Sequence, residues 1–564
     1  MSIVLDAYAA RSCPLKTVNA FSPSIQAPEL TRVDPPFFRD SRAIEASVFG
    51  MVGEGEGRVV DLRDARASGG ASWSRASMQA MASGADVIIA PLLPRDETGH
   101  RTGRPSMLVR ADGEGHGYRP VQLKFHRVME SGGTDDPLVV ARLGSPRRSS
   151  ELVGRRFRWN TRLNAALQVA HYWRLLQACG YAAPEPWGGL IGIDRLNAAP
   201  PGRPAQIEPM IAWLRLDQRC VPPNPRWVAV PAEAEAISPL ERYDSEHRYR
   251  VDLAQAALGG TPPGELETPI LSSECRGCVW QQHCRDQLDV DDLSARITKT
   301  PLDVHELRTL RGLGVATVSD LARADLPSLT EQFLPAAGHR TGGEARLQRA
   351  YRRAQLLDSG VELERQTTGP LDLPRHALEI DIDIETSADD RLYLWGFWVD
   401  DPEAGAPYAR QFGAFTDLDA DGEAALAVEA LRWLRSVVGA RDAAVYHYSD
   451  YETIRLARLA PRLGELGEWA TGWAFTHFVD LFPLMRRHFF GANGLGLKAV
   501  VRAATDFAWR DADPGGLNSQ SWFAEAIGDA DPDARTAARR RVLEYNEDDV
   551  RATWHLRRWL RSLT

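Results

Sequence analysis

Hydrophobic and polar positions divide the chain into three regions of different pattern. Residues 1–295 mix apolar runs of strand length with Pro- and Gly-rich connections, and residues 162–180 repeat apolar positions at helical spacing. Residues 296–365 form short amphipathic stretches that predict small helices. Residues 370–564 alternate strand-like and helix-like patterns. We therefore expect an α/β multidomain protein with a small all-α segment between an N-terminal and a C-terminal α/β domain.

The most regular pattern is LEIDIDIET, at positions 378–386. Its apolar residues alternate with four carboxylates, which are Glu379, Asp381, Asp383 and Glu385. With a strand period of two, all four acids lie on one face. Such a row of like charges is repulsive unless water or a cation relieves it. The strand alone therefore predicts a metal site and a wet acidic edge strand about equally.

Later stretches add acids that favour the metal site. Glu452 ends the strand-like run at 445–452, near a predicted strand–helix junction. Tyr545 and Asp549 lie four residues apart on a helical pattern, hence on one face. Carboxylates from separate elements can surround two divalent ions about 4 Å apart, which activate a water and stabilise the leaving oxygen. Oxygen ligands favour Mg²⁺ or Mn²⁺ over zinc.

These motifs, in this order, resemble those of the DEDD exonucleases with a ribonuclease H-like fold. The matching segments are Asp383-Ile384-Glu385-Thr386, the hexapeptide His447-Tyr448-Ser449-Asp450-Tyr451-Glu452, and Tyr545-Asn546-Glu547-Asp548-Asp549 as Tyr-x-x-x-Asp. The resemblance implies a metal-dependent 3′–5′ exonuclease in which Asp383, Glu385, Glu452 and Asp549 hold two Mg²⁺ or Mn²⁺ ions. It also implies that Tyr545 orients or deprotonates the attacking water. Glu452 departs from the family, which has Asp at this position.

Two further segments, Phe478-Val479-Asp480-Leu481 and Leu497-Lys498-Ala499-Val500, are similar to elements of bacterial ribonuclease H-like exonucleases that are often fused to RecB-like domains. We take Asp480 and Lys498 as supporting residues, with Lys498 a candidate nucleic-acid contact. The alternatives are a strand-end cap for Asp480 and an ordinary solvated side chain for Lys498.

Three of the six cysteines are closely spaced as C-x₂-C-x₅-C. They are Cys275, Cys278 and Cys284, and Cys13 is a fourth near the N-terminus. The spacing predicts zinc or an iron–sulfur cluster rather than a disulfide scaffold. RecB-like nucleases with iron–sulfur clusters, including CRISPR-adaptation and AddB-type proteins, are similar in having one cysteine before the nuclease core and three after it. That resemblance implies a [4Fe–4S] cluster on these four cysteines, stapling the domain's ends together, with zinc as the alternative.

Residues 1–295 also resemble the PD-(D/E)XK fold of the RecB-like family. The resemblance rests on residues 103–110, on Val121-Gln122-Leu123-Lys124, and on Gln168 and Tyr172 in a helical stretch. Ser106 and Gln122 stand where active relatives have metal-binding acids, and Lys124 alone remains of the central catalytic set. Neutral side chains cannot hold Mg²⁺ as carboxylates do. We therefore expect an inactive domain that is kept for DNA binding, cluster housing or partner docking.

Residues 307–324 predict a helix–hairpin–helix, with Gly312 and Gly314 in the hairpin. Glycines permit close approach to a phosphate, and the following helix would present free N–H groups at its positive end. A plain helical linker with a glycine turn is the alternative.

Charge and composition limit the remaining choices. The net charge of −9 does not indicate a globally basic nucleic-acid binder, but local runs such as Arg539–Arg541 are compatible with one. The sequence has no apolar run of the ~18 residues that a membrane helix needs, and no signal-peptide pattern at its start. We expect a cytoplasmic protein. It has no Walker A motif, so a helicase would be a separate partner.

The sequence therefore favours a DNA exonuclease of repair that acts on single-stranded ends. A ribonuclease that trims RNA is the first alternative, because nothing in the motifs reads the 2′-hydroxyl. A non-catalytic DNA-binding scaffold for a helicase is the second, and the departure at Glu452 keeps it open.

Overall fold

The computed structural model describes residues 2–26, 37–55, 57–112, 117–198, 206–226, 234–297, 300–388, 390–528 and 531–563. It is a mixed α/β protein, as the pattern predicts, with one large sheet near each end of the chain. None of the helices in these described ranges combines the length and the apolar character that crossing a membrane requires.

The N-terminal part is built on a mixed sheet of eight strands. The strands of this part of the chain, in order, are β1 (Val59–Asp61), β2 (Val87–Ile89), β3 (Met107–Arg110), β4 (Tyr118–Leu123), β5 (Met129–Ser131), β6 (Leu138–Arg142), β7 (Ser149–Leu152), β8 (Arg155–Phe157), β9 (Trp187–Ala198) and β10 (Gln206–Arg215). Strands β5 and β8 form a separate pair, and the other eight make up the sheet. The sheet order is β1-β2-β3-β4-β9-β10-β6-β7, and β4 and β9 are parallel neighbours.

Helices flank this sheet. They are α1 (Pro14–Phe21), α2 (Phe37–Gly53), α3 (Gly70–Ala82), α4 (Trp159–Ala178) and α5 (Pro239–Leu258). The expected helix at 162–180 is confirmed by α4, which packs on β4 and β9. Because α4 is buried along most of its length, its polar residues Gln168 and His171 lie inside the domain and find internal hydrogen-bond partners.

Short helices follow the N-terminal sheet. They are α6 (Pro263–Leu266), α7 (Gln281–Arg285), α8 (Leu293–Arg296), α9 (Val304–Gly312), α10 (Val318–Arg323), α11 (Leu326–Phe333) and α12 (Gly343–Asp358). Helices α8 to α12 share one core, to which Ile270 also belongs and which extends to Ala354. Two ion pairs bind α9 to the cysteine-bearing segment before it, Arg308 with Glu267 at 2.8 Å and Arg311 with Asp292 at 2.6 Å. The helical segment is therefore fixed to its N-terminal neighbour.

The C-terminal part has a five-stranded sheet. Its elements are β11 (Leu363–Arg365), β12 (Leu378–Thr386), β13 (Leu392–Asp400), β14 (Tyr408–Gly413), α13 (Ala420–Val438), β15 (Ala443–His447), α14 (Tyr451–Leu459), α15 (Glu465–His477), β16 (Phe478–Asp480), α16 (Leu481–His488), β17 (Phe489–Gly491), α17 (Leu497–Ala504), α18 (Gly516–Gly528) and α19 (Pro532–Ser562). The order is β14-β13-β12-β15-β16. Strand β13 is antiparallel to both of its neighbours, β12 and β14, whereas β15 is parallel to β12 and to β16. Strands β11 and β17 form a separate pair.

The central strand β12 has two faces of opposite character. Its isoleucines join the core that α13 covers, while its acids face the long helix α19. Arg557 of α19 is fully buried and pairs with Glu379 and Asp381. The cation that relieves the first half of the acidic row is therefore an arginine of the chain itself, and Asp383 and Glu385 remain for another partner.

Candidate metal centre

Three carboxylates converge where β12 ends beneath α19. Asp383, Glu385 and Asp549 each offer an oxygen, and these oxygens all lie within 4.8 Å of one another. In the described part of the chain this is the one group of acidic, histidine or cysteine side chains that is gathered so closely. Glu385 and Asp549 are buried and Asp383 keeps partial exposure, so the group is open to a ligand on the side of Asp383.

The backbone of β13 makes room for this arrangement. Gly396 lies opposite Asp383 in the β12–β13 register. A Cβ atom at this position would overlap the side-chain amide of Asn546. That amide donates to Asp383 Oδ2 at 2.8 Å. Gly396 is therefore required for α19 to approach the strand closely enough to hold Asp383.

Each of the other two acids also has its own hydrogen-bond donor. The hydroxyl of Ser519 on α18 donates to Glu385 Oε2 at 2.5 Å. The indole of Trp509 donates to Asp549 Oδ1 at 2.6 Å, and Lys498 Nζ lies 3.2 Å from Asp549 Oδ2. Sequence reasoning missed Ser519, Trp509 and Asn546. Asn546 could have been noticed inside the Tyr-x-x-x-Asp motif, but Ser519 and Trp509 carry no recognisable spacing.

The group is electrostatically under-neutralised. Burial, together with repulsion from Glu385 and Asp549, holds the pKa of Asp383 well above its usual range. Burial, with a smaller contribution from Asp549, raises the pKa of Glu385 to about 8 although Ser519 opposes the shift. Carboxylates that resist losing their protons in isolation favour a bound cation. A set of hard oxygen donors fits Mg²⁺ or Mn²⁺.

Tyr545 lies beside this group, one turn before Asp549. Lys498 Nζ donates to its hydroxyl at 2.9 Å and lies 4.7 Å from the centre of its ring. Burial, followed by the charges of Asp549 and Glu385, raises the pKa of Tyr545. Lys498 is therefore not a solvated side chain: it links the tyrosine to the carboxylates.

Glu452 stands next to the group rather than in it. Its carboxylate contributes to the raised pKa of Asp383, yet it lies outside the set of oxygens within 4.8 Å. Its Oε2 is 3.5 Å from Nδ1 of the buried His447, and no hydrogen-bond donor reaches this buried oxygen. Burial opposes a charged His447, but Glu452 outweighs it and raises the pKa of the imidazole.

Asp480 has a structural role close by. Its Oδ1 accepts from the backbone N–H of Phe482 at the start of α16, and from the N–H of Ser449 at 2.8 Å. Ser449 has a φ of 88°, a strained value for a residue other than glycine. Asp480 thus caps α16, in line with the alternative considered for it, and holds the turn that leads into Glu452.

The four predicted cluster cysteines meet at one place. Cys13, Cys275, Cys278 and Cys284 line a cavity of about 20 Å³ together with apolar residues such as Leu15, Ile270 and Trp280. Their sulfur atoms are not gathered as closely as the three acids, since no three of them lie within 4.8 Å among the described residues. Burial, followed by the neighbouring cysteines, raises the pKa of the Cys284 thiol to about 11.

The predicted degenerate nuclease core has no acidic group of this kind in its described residues. Ser106, just before β3, accepts a hydrogen bond from the backbone N–H of Leu123 at 3.0 Å. Gln122 donates to the carbonyl of Leu123 at 3.2 Å. Lys124 donates to Gln168, which in turn donates to Tyr172 at 2.9 Å. The three residues therefore lie together without a carboxylate to hold a metal.

The helix–hairpin–helix expectation needs correction in one respect. Gly312 ends α9, and Gly314 has the positive φ of 83° that the turn requires. The N–H groups at the start of α10 are not free, however. Ala316 and Thr317 donate to the Asp320 carboxylate, and Ser319 donates to Asp291. Internal carboxylates occupy the positive helix end that was expected to bind a phosphate.

Comparison with known proteins gives one match. Residues 381–561 match the family model described as the RNase_H superfamily. No curated protein and no solved structure matches the chain. The match spans the acidic strand and α19, and it confirms the expected ribonuclease H-like character of the C-terminal domain. Together with the three acids, it points to a nuclease-type hydrolase that acts on phosphodiester bonds of nucleic acid and binds a divalent metal.

Proposed function

We propose that this protein is a metal-dependent 3′–5′ exonuclease that degrades DNA from single-stranded ends, in DNA repair. The observation that carries the proposal is the convergence of Asp383, Glu385 and Asp549 within 4.8 Å in a ribonuclease H-like domain. The 3′–5′ direction and the preference for DNA follow from the resemblance to the DEDD exonucleases. In this proposal the catalytic domain is residues 370–564, behind a helical segment at 296–365.

The acids of the site offer more ligands to one divalent cation than to a second. Asp383, Glu385 and Asp549 offer an all-oxygen group that would hold one ion. Glu452, with a buried oxygen that lacks a hydrogen-bond donor, would contribute to a second. Bound Mg²⁺ or Mn²⁺ would supply the positive charge that makes a water nucleophilic near neutral pH and stabilises the leaving oxygen.

The chain's own side chains then have separate roles. Asn546, Ser519 and Trp509 fix the rotamers of the three acids by direct hydrogen bonds. Tyr545 keeps its proton, because the negative group and burial raise its pKa. It therefore orients the attacking water through its hydroxyl instead of deprotonating it. Because the Tyr545 hydroxyl accepts a hydrogen bond from Lys498, the proton of the hydroxyl itself is free to point at the water.

End-labelled digestion tests the proposal. The wild-type chain and Asp383→Asn are incubated with Mg²⁺ or Mn²⁺ and with matched single-stranded DNA and RNA that carry a label at the 5′ end. We expect wild type to produce a ladder shortened from the 3′ end on DNA, and Asp383→Asn to lose at least about 10³-fold in rate. Asp372→Asn, an exposed acid outside the domain core, is the matched control.

Two results would count against the proposal. Equal digestion by Asp383→Asn and wild type would overturn the assignment of the active site. Degradation of RNA in place of DNA would replace it by the RNA-trimming function.

We propose further that residues 1–295 form an inactive PD-(D/E)XK domain stapled by a [4Fe–4S] cluster on Cys13, Cys275, Cys278 and Cys284. Shared lining of one cavity by the four cysteines supports this proposal. Zinc with Zn–S bonds of about 2.3 Å would draw the sulfurs to roughly 3.8 Å from one another. Among the described residues no three of these thiols lie within 4.8 Å of one another, which suits the larger cluster better than zinc.

Visible absorbance, with iron, sulfide and zinc analysis of protein purified without oxygen, tests the cluster. We expect a broad band near about 400 nm and about four irons per chain. Cys278→Ser should lose both, whereas Cys179→Ser, at a cysteine outside the cavity, should keep them. One zinc per chain and no colour would replace the cluster by zinc.

A further inference from the structure

Five arginines line one cavity of about 240 Å³ in the N-terminal half of the chain. They are Arg11 at the end of the helical turn Ala9–Arg11, Arg226 in the loop after β10, Arg242 and Arg250 on α5, and Arg308 on α9. These elements are far apart in the sequence, so the folded structure alone brings the positive charges together. Like charges that share a site repel one another unless counter-charges or a ligand neutralise them.

One carboxylate serves the two arginines of α5. Glu246 lies one turn from each of them on the same face of the helix, 3.4 Å from Arg242 and 3.0 Å from Arg250. It also accepts a hydrogen bond from the amide of Asn224. A single negative charge is therefore shared between two positive ones on this side of the cavity.

A second carboxylate serves another pair in the same way. Glu267 accepts from Arg226 and from Arg308, the latter at 2.8 Å. The hydroxyl of Tyr249 donates to the same carboxylate at 2.5 Å. Because Arg308 belongs to α9, this pairing also joins the helical segment to the N-terminal part of the chain.

Arg11 adds a fifth positive charge. Among the described residues, no ion pair involves Arg11, and its buried Nε has no hydrogen-bond acceptor. Glu274, the other acid that lines the cavity, is held by Lys16 at 2.7 Å and by the backbone N–H of Cys13 at 3.0 Å. In the described part of the chain, five arginines thus share two carboxylates, and the wall of the cavity carries excess positive charge.

Arg250 is the most deeply buried of the five, with 4% of the residue exposed. Its Nη atoms donate to Glu246 and to the carbonyl of Ser12, the latter at 2.8 Å. Within the described residues, its buried Nε has no acceptor. Burial lowers the pKa of Arg250, and the charge of Arg226 adds to this effect while Glu246 opposes it. An anion in the cavity would offset both the repulsion and the loss of hydration.

The shape and the donors of the cavity fit a phosphate group. A guanidinium presents five N–H donors in a planar fork that matches phosphate oxygens. Several arginines around one small volume suit a group that carries close to two negative charges. The cavity adjoins a cleft of about 1250 Å³, with which it shares Arg11, Ser12 and Asn164, so a ligand can enter from solvent.

The lining also indicates the size of the ligand. Its described residues include no Phe, Tyr or Trp. A single nucleic-acid strand is bound through a long basic groove and through aromatic rings on which its bases stack. A compact cavity without such rings instead suits a small molecule.

We propose that this cavity binds a small molecule through its terminal phosphate group, with Arg11, Arg226 and Arg308 donating to the phosphate oxygens. Inorganic phosphate, inorganic diphosphate and the phosphate end of a mononucleotide share this chemistry. Because α9 and the N-terminal part both supply donors, the bound anion holds the helical segment in place. The site is built from other residues than the metal centre, and this binding does not depend on exonuclease activity.

Isothermal titration calorimetry of the full-length chain tests the site. Inorganic phosphate, inorganic diphosphate and thymidine 5′-monophosphate are titrated separately, without added divalent metal and at an ionic strength that NaCl holds constant. We expect the wild type to bind at least one of these probes with a dissociation constant of about 1 mM or lower. The bound probe should also raise the melting temperature, since it favours the folded state.

Arg11→Gln and Arg308→Gln are the test variants. Neither leaves a carboxylate unpaired, because Arg11 has no ion pair among the described residues and Glu267 keeps Arg226 when Arg308 is replaced. We expect each variant to weaken the binding by about tenfold or more, through the loss of charge-assisted hydrogen bonds. Arg75→Gln, an exposed arginine of α3 outside the cavity, should bind like the wild type. Melting temperatures without the probe verify that each variant folds.

Three results would overturn this inference. One is the absence of binding of every probe by the wild type at concentrations up to about 10 mM. Another is equal affinity in the wild type, Arg11→Gln and Arg308→Gln. The third is binding of a 5′-phosphorylated oligothymidine alone, since a nucleic-acid end would then be the ligand in place of a small molecule.

Discussion

The buried guanidinium of Arg557 forms a two-point ion pair with Asp381, with Nη2 2.8 Å from Oδ2 and Nε 3.2 Å from Oδ1. Asp381 lies on the same face of β12 as Asp383, two positions earlier. One arginine therefore divides the acidic row into a half that is neutralised inside the protein and a half that is left for a metal.

Arg557→Met should destabilise the C-terminal domain strongly. The substitution leaves Asp381 and Glu379 in the interior without this counter-charge, and breaking a buried ion pair costs about 3–5 kcal/mol. Urea unfolding measures the loss. The neighbouring Arg558→Met removes an exposed arginine from the same helix and should change the free energy of unfolding by less than about 0.5 kcal/mol. Equal effects of the two substitutions would show that the ion pair contributes little.

The metal-free protein should lose stability as pH rises from about 4.5 to about 8. The folded state holds the proton of Glu385 up to a pKa of about 8, while the unfolded chain releases it near 4.5. The folded state therefore binds more protons in this window, so each increase in pH favours unfolding. Melting temperatures in EDTA should fall across the window in wild type and less in Glu385→Gln. The exposed Glu429→Gln should follow wild type.

Added Mg²⁺ should reverse that loss, because a cation replaces the proton on the same oxygens. A Mg²⁺ effect that is equal at pH 5 and pH 8 would argue against metal binding at these acids.

Glu452→Gln should weaken the second metal position more than the first. The substitution keeps the shape of the side chain but removes the charge of a buried carboxylate that lies outside the three-acid group. The number of Mn²⁺ ions bound per chain, measured by titration and electron paramagnetic resonance, should fall from about two to about one. Glu468→Gln on α15 is exposed and should bind as wild type does. Unchanged stoichiometry and rate would mean that Glu452 serves only to hold His447.

Tyr545→Phe should lower kcat by about 10- to 100-fold and leave the metal affinity and the pH–rate profile unchanged. The reason is that the raised pKa of Tyr545 makes it a protonated orienting group over the working range of pH. Loss of one limb of the pH–rate profile in this variant would instead identify Tyr545 as a general base. Tyr408→Phe, at a half-exposed tyrosine on β14, is the control.

The alternation of the acidic strand determined much of the C-terminal domain in advance. A period of two places Glu379, Asp381, Asp383 and Glu385 on one face whatever the surroundings are, and the spacing of Tyr545 and Asp549 places them on one face of a helix. These are properties of local backbone geometry, so a single sequence reveals them. The resemblance of three ordered motifs then indicated the superfamily that the match over residues 381–561 confirms.

Only the tertiary structure decided which side chain pairs with or donates to each of these acids. Arg557 is 176 positions from Asp381, Ser519 is 134 from Glu385, and Trp509 is 40 from Asp549. No local period relates such positions. Glu452 matched its motif by order, yet a strained turn at Ser449 sets where its carboxylate lies. Ion pairing depends on distances between distant segments, and those distances exist only once the sheet and α19 have packed together.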